Sequence, residues 1–278
     1  MKILSYNIFG TKEPKGSIPK WEIRQQNIKG NIPKWETRQK NIKRILNQVL
    51  SDQEIKICCF QEVNENNIDL LNDILIQNNF KMLKQFPMKT CSCTQYNIVA
   101  VKNESVIQID FIACIPHGSD DEYKEIDSQV IDYNMSDYRT TVFVSIHYHN
   151  RQYLIGNIHT DYISVEGKIR GTIKSLAYLD KIPADYKMIV GDMNMICHMS
   201  EAYIIKKENE KYTTLSRNKN FNIMDQSWHG YGLKEQVNSD FAFVEKIKEE
   251  DYDYEIIKQN NIQDEGSDHR PIIITIKE

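Results

Sequence analysis

Three short hydrophobic runs in this chain stop abruptly at polar residues. Lys2-Ile3-Leu4 leads into Ser5-Tyr6-Asn7, Ile55-Lys56-Ile57-Cys58-Cys59-Phe60 into Gln61-Glu62, and Lys187-Met188-Ile189-Val190 into Gly191-Asp192-Met193-Asn194. A fourth run reverses the order: Gly266-Ser267-Asp268-His269-Arg270-Pro271 precedes Ile272-Ile273-Ile274-Thr275-Ile276. Apolar runs this short, bounded by turn-forming residues, predict buried strands. Charged and amide side chains at the ends of buried strands are costly unless they converge on a ligand. Several such ends in one sheet build an oxygen-rich site, which suits Mg²⁺ or Mn²⁺. The pattern points to metal-assisted phosphoester hydrolysis.

The remaining elements follow the same rules. Arg44-Ile45-Leu46-Asn47-Gln48-Val49-Leu50 has the spacing of an amphipathic helix, and further helices are predicted over about 66–77 and 165–179. Strands are predicted at 96–102, 107–112, 239–245 and 271–276, with a hairpin of 140–147 and 153–159 around Asn150-Arg151. His147 and His149 fall near that turn and read as exposed. The stretch 201–220, rich in charge, reads as helix or loop. Strands and helices alternate without a Pro/Gly linker, so a single domain over 1–278 is expected. The β-rich middle of the chain suggests two sheets packed face to face with helices outside.

One segment is duplicated. Residues 18–29, opening Ile18-Pro19-Lys20-Trp21, recur nearly verbatim as 32–43, opening Ile32-Pro33-Lys34-Trp35, at an offset of 14 residues. A solenoid needs at least about three repeats, so two copies do not make one. The second copy runs into the first predicted helix. The first reads as a surface insertion after Asn7.

Composition changes this picture little. With 40% hydrophobic and 27% charged residues the chain is ordinary for a globular protein. It contains no apolar run of about 18 residues, so no membrane span is expected. No signal peptide precedes the first strand, which together with the cysteine usage predicts a cytoplasmic location. Six cysteines in a chain of this length do not resemble a disulfide framework; Cys58, Cys59, Cys91 and Cys93 read as reduced thiols. The net charge of −4 and the lack of a basic stripe neither demand nor exclude a nucleic-acid partner.

Taken together, Gln61-Glu62, Asn157-Ile158-His159, Gly191-Asp192-Met193-Asn194 and Ser267-Asp268-His269-Arg270-Pro271 resemble the motifs of the endonuclease/exonuclease/phosphatase superfamily, in the same order and over nearly the whole chain. The resemblance implies an α/β four-layered sandwich of two mainly antiparallel β-sheets, with the active site at one edge. It implies that Asn7, Glu62 and Asp268 hold Mg²⁺ or Mn²⁺, and that Asp192 orients or deprotonates the attacking water. Asn194 would hold a phosphate oxygen. His269 would donate to another, kept protonated by Asp240. His159 matches a position near the phosphate or leaving group. Arg139, Arg170 and Trp228 are candidates for substrate contacts. Their plain alternatives are surface or packing roles.

The expected activity is hydrolysis of nucleic-acid phosphodiesters, DNA above all, by in-line attack of water, with a monomer as the default. The alternative is a phosphatase or phospholipase acting on inositol phosphates or sphingomyelin. A non-catalytic binding protein would have lost Glu62, Asp192 or His269, and all are present.

Overall fold

Strand β2 (Ile55–Asn64) shows how the layers are built. Ile57 and Cys59 face a core shared with a second sheet, while Cys58 and Phe60 face helices on the other side. Successive side chains of a strand point to opposite faces, so a run that is apolar at every position is buried on both. The same alternation in the second sheet sends Val142 and Val144 inward and Phe143 outward.

The computed structural model describes residues 1–8, 33–89, 94–117, 139–161, 164–195, 200–216, 227, 238–261 and 264–277. One sheet joins β1 (Lys2–Asn7), β2, β3 (Phe80–Met82), β4 (Phe86–Lys89), β5 (Thr94–Lys102), β12 (Tyr252–Ile256) and β13 (Ile272–Ile276). Its order is β12-β13-β1-β2-β5-β3, with β4 also pairing with β5. The other joins β6 (Gln108–Pro116), β7 (Thr140–Tyr148), β8 (Arg151–His159), β9 (Tyr186–Asp192), β10 (Tyr212–Leu215) and β11 (Asp240–Glu245), in the order β10-β11-β9-β8-β7-β6. Helices α1 (Trp35–Leu50) and α2 (Ile68–Gln77) cover the first sheet; α3 (Val165–Lys181) and α4 (Ser200–Glu208) cover the second. This is the expected four-layered sandwich.

Each sheet contains one parallel neighbour pair among its described strands, β1 with β2 and β8 with β9, connected through α1 and α3 respectively. Parallel neighbours need such a crossover, and ligands collect beyond the carboxyl ends of the strands it joins. Asn7, Glu62, His159 and Asp192 all stand at those ends. The outer strands only widen the platform.

Several elements differ from the sequence pattern. Helix α1 begins at Trp35, so residues of the second repeat copy form its first half and bury Arg38 and Ile42 as well as Ile45, Leu46 and Val49. The first copy lies outside the described residues. Strand β12 went unpredicted because Asp253 and Glu255 interrupt its hydrophobicity; Tyr252, Tyr254 and Ile256 nonetheless alternate into the core. Within 201–220, the described residues form α4 and β10. Cys58, Cys59 and Cys114 are free and buried, and burial pushes the Cys114 thiol up to about 12. Cys91 and Cys93 lie outside the described residues. His147 is exposed, as expected, and pairs with Asp110 at 2.8 Å. Among the described residues no helix is long and apolar enough to cross a membrane.

Candidate active site

The site forms where the two sheets meet at one edge. In the second sheet, ladder register sets Asp192 between His159 on one side and Asp240 on the other. In the first sheet, β1 ends at Asn7 beside Gln61, and His269 lies just before β13. Glu62 is aimed by a local irregularity: the pairing of β2 with β5 shifts between Phe60 and Val63, and Glu62 takes a left-handed backbone with φ of 56°. A bulge of this kind re-aims a side chain out of the alternating pattern. A glutamate held there costs about 1 kcal/mol or more in backbone strain.

Asn7 couples the two sheets. Its Nδ2 donates to Glu62 Oε1 at 3.1 Å and to Asp192 Oδ2 at 2.9 Å. Asp192 Oδ1 accepts the backbone N–H of Asn194 at 2.8 Å, which closes an Asx turn; Asn194 has φ of 47° and donates its side-chain amide to Thr160 O at 3.0 Å. His269 Nδ1 lies 2.8 Å from Asp240 Oδ2, and its Nε2 is 3.7 Å from Asp192 Oδ2. His159 Nε2 stands 3.7 Å from the same Asp192 oxygen and 3.8 Å from Glu62. Asp268 follows Ser267, whose hydroxyl donates to it at 3.3 Å.

Arg139 occupies a place that the sequence did not suggest. Its guanidinium is buried and donates to His159 Nδ1 at 2.9 Å. A guanidinium has only donors, so Nδ1 must accept and the ring proton resides on Nε2. His159 Nε2 is buried without a hydrogen-bond partner, and it faces Glu62 and Asp192. Arg170 is half-buried on α3, lining a surface groove with Val165, Ile169 and Ile173. Trp228 lies outside the described residues.

The electrostatics separate the groups. Burial raises the Glu62 carboxyl above its ordinary value, as does the charge of Asp268, against Arg139 and His269. Burial likewise raises Asp192; His269 opposes this, while Asp240 and Glu62 add to it. For His269 burial disfavours the charge, but Asp240, Asp192 and Asp268 outweigh it and hold the imidazolium well above its usual range. His159 moves the other way, lowered by burial and by Arg139 and His269. The surroundings thus favour a neutral His159 and a charged His269, each with its Nε2 3.7 Å from the same Asp192 oxygen.

Glu62, His159 and Asp192 place ligand atoms within 4.8 Å of one another, as do Asp192, Asp240 and His269. His269 and Asp240 are already paired, and His159 presents a proton. The atoms left for a divalent cation are therefore the carboxylate oxygens of Glu62 and Asp192, a hard donor set that fits Mg²⁺ or Mn²⁺.

Several supporting residues were not singled out from the sequence. Arg38, only 2% exposed, donates to Gly266 O at 3.3 Å and to Ile8 O at 3.5 Å, and Asn41 donates to Glu265 O at 3.2 Å. The second repeat copy thereby ties Ile8, just after β1, to Glu265 and Gly266, just before Asp268. Ser227 accepts from the backbone N–H groups of Ser239 and Asp240, and its carbonyl accepts from Arg270. The Thr160 hydroxyl donates to Met193 O. An arginine inside a helical apolar stripe was the readable signal for Arg38; nothing marked Ser227.

Gly191 permits the close approach of β9 to β8. It has φ of 151°, and a Cβ there would lie 2.0 Å from Ile158 O. Gly191→Ala is therefore expected to cost about 3 kcal/mol or more, read as a lowered urea midpoint. An unchanged midpoint would contradict this account of the turn into Asp192.

No family model and no curated protein matches the sequence. The fold, however, is that of the endonuclease/exonuclease/phosphatase proteins. An endonuclease/exonuclease/phosphatase from Bacteroides vulgatus superposes with a TM-score of 0.71 at 15% identity, covering 99% of this chain and 98% of that one. TDP2 of D. rerio, solved with a single-strand DNA product, gives 0.68 at 10% identity over 100% and 99% of the two chains. A mannosyl-6-phosphatase of Bacteroides thetaiotaomicron gives 0.68 at 11% identity over 100% of both.

Proposed function

We propose that this protein is a divalent-metal-dependent phosphoesterase that hydrolyses nucleic-acid phosphodiesters, DNA first among them. The observation that carries this reading is the convergence of Glu62, Asp192, Asp240 and Asp268 on one edge, with His269 paired to Asp240 and Arg139 set behind His159. Carboxylates gathered this closely, Asp192 and Asp240 buried and Glu62 and Asp268 partly so, are stable together when a cation joins them.

Glu62 and Asp268 are the carboxylates that would hold Mg²⁺ or Mn²⁺, with Asn7 beside Glu62 completing or orienting the shell, and the ion would neutralise the phosphate and the leaving oxygen. Asp192, raised toward neutrality and fixed by Asn7 and Asn194, directs the attacking water and takes its proton. His269, charged and held by Asp240, donates through Nε2 to a phosphate oxygen as charge builds in the transition state. His159 adds a neutral Nε2–H donor on the opposite side, aimed by Arg139. Asn194 spends one amide N–H on Thr160 and keeps the other for phosphate.

The DNA reading draws on the TDP2 neighbour. A phosphomonoesterase is the second reading, supported by the mannosyl-6-phosphatase neighbour and by the net charge of −4. Nicking of supercoiled plasmid with Mg²⁺, beside chelator and Asp192→Asn controls, tests the first. Metal-dependent nicking lost in both controls is the expected result. A folded protein that leaves plasmid and bis-p-nitrophenyl phosphate intact but hydrolyses p-nitrophenyl phosphate would favour the second reading. Inertness toward all three would sink both.

A further inference from the structure

Among the described residues the core between the sheets is mainly apolar, and a polar cluster lies directly behind the site. It is formed by Ser5, Gln61 and Asn157, each 0–1% exposed, and spans the two sheets. Gln61 Nε2 donates to Ser5 Oγ at 3.1 Å and to Asn157 Oδ1 at 2.7 Å. Asn157 belongs to β8, yet its Nδ2 crosses to the other sheet and donates to Phe60 O at 3.0 Å and Ile98 O at 2.9 Å. Phe60 and Ile98 are the last paired residues before the register shift that turns Glu62 into its left-handed conformation.

A bulge disrupts the ladder beside it and leaves main-chain polar groups in want of partners. An apolar side chain at 157 would fill the same core without the cost of burying an amide. The amide instead holds the rim of the bulge from the opposite sheet. It lies two residues before His159 on the same strand, so one side chain fixes both the turn that aims Glu62 and the separation of Glu62 from His159 and Asp192.

We infer that Asn157 is a positioning residue: through the carbonyls of Phe60 and Ile98 it sets Glu62 in the geometry that binds the divalent cation. The inference rests on the metal-binding role proposed for Glu62. Gln61 supports it, holding Asn157 Oδ1 so that the amide nitrogen faces the two carbonyls.

The test reads binding rather than turnover, with Mn²⁺ as the probe at a temperature where every variant is folded. Asn157→Ala is expected to weaken Mn²⁺ binding by about 10- to 100-fold. In a Glu62→Gln background the same substitution should cause no further loss, because its effect passes through Glu62. Should Asn157→Ala not fold, Asn157→Asp keeps the volume and the acceptor facing Gln61 but lacks the amide donor, and is expected to show the same coupling. A folded variant that binds Mn²⁺ like the parent, or losses that add independently to those of Glu62→Gln, would overturn the inference. Parent protein that binds no Mn²⁺, or binds it equally well as Glu62→Gln, would overturn the reading of the metal site and this inference with it.

Discussion

Asp192→Asn is expected to lower phosphoester turnover by a factor of about 10³ to 10⁴ while the protein stays folded. Asparagine has the same shape, so the substitution isolates the charge. One of the two hydrogen bonds to this side chain, from Asn194 N–H or from Asn7 Nδ2, loses its acceptor when an amide nitrogen replaces an oxygen. That loss is worth about 1 kcal/mol. Against it stands the removal of a buried carboxyl that its surroundings already push toward neutrality. Metal-free Asp192→Asn should therefore melt at or above the parent temperature. Turnover within tenfold of the parent would remove Asp192 from the chemistry. Lost turnover together with a collapsed fold would contradict the electrostatic argument instead.

Saturating Mg²⁺ or Mn²⁺ should raise the melting temperature, and more so as pH rises. In the metal-free protein Glu62 and Asp192 have raised pKa values. Below the ordinary carboxylate range both are protonated whether folded or unfolded, so they carry no penalty. As pH climbs from that range through the raised folded values, the unfolded chain ionises first and the folded state loses stability. His269 adds to the trend, since its stabilising charge is present below the ordinary imidazole value and disappears as pH passes its raised one. Metal binding needs the ionised carboxylates and releases their protons, so its stabilisation grows over the same interval. An ion at 100 times its dissociation constant contributes about 2.7 kcal/mol, or roughly 5 °C in a chain of this size. Thermal unfolding at about pH 5.5 and about pH 8, each with metal or chelator, checks the sign. A metal-induced shift that shrinks toward high pH would refute it.

Much of this site is legible in the amino-acid sequence. Hydrophobic runs that stop at Asn7, Glu62 and Asp192, and one that starts after His269, locate strand ends. Asp240 is readable as the partner of His269 only through the family likeness, because the two are 29 residues apart and nothing local joins them. Other features cannot be read at all. A left-handed Glu62 leaves no trace in a pattern of alternation, and a buried arginine such as Arg139 looks like a surface one until its partner is known. Asn157 stands out in the sequence only as part of its motif beside His159, and its reach into the other sheet leaves no trace there. Its importance arises from carbonyls nearly 60 and nearly 100 residues away, as separations of 59 and 97 record.

The path of the chain through the two sheets has a consequence in time. The first sheet is begun by β1 to β5, abandoned while the whole second sheet is laid down, and completed only when β12 and β13 return to it. His269 and Asp268 travel with that last return, and Asn7 meets Asp192 across a separation of 185 residues. Contacts this distant in sequence close late, because loop entropy must be overcome before they form. A chain still being synthesised already carries Asn7, Glu62 and Asp192, yet lacks His269, the charged donor proposed to act with them. On the proposed mechanism, hydrolysis would be withheld until the final stretch has been made and docked, and the onset of turnover would itself be a clock for the completion of folding.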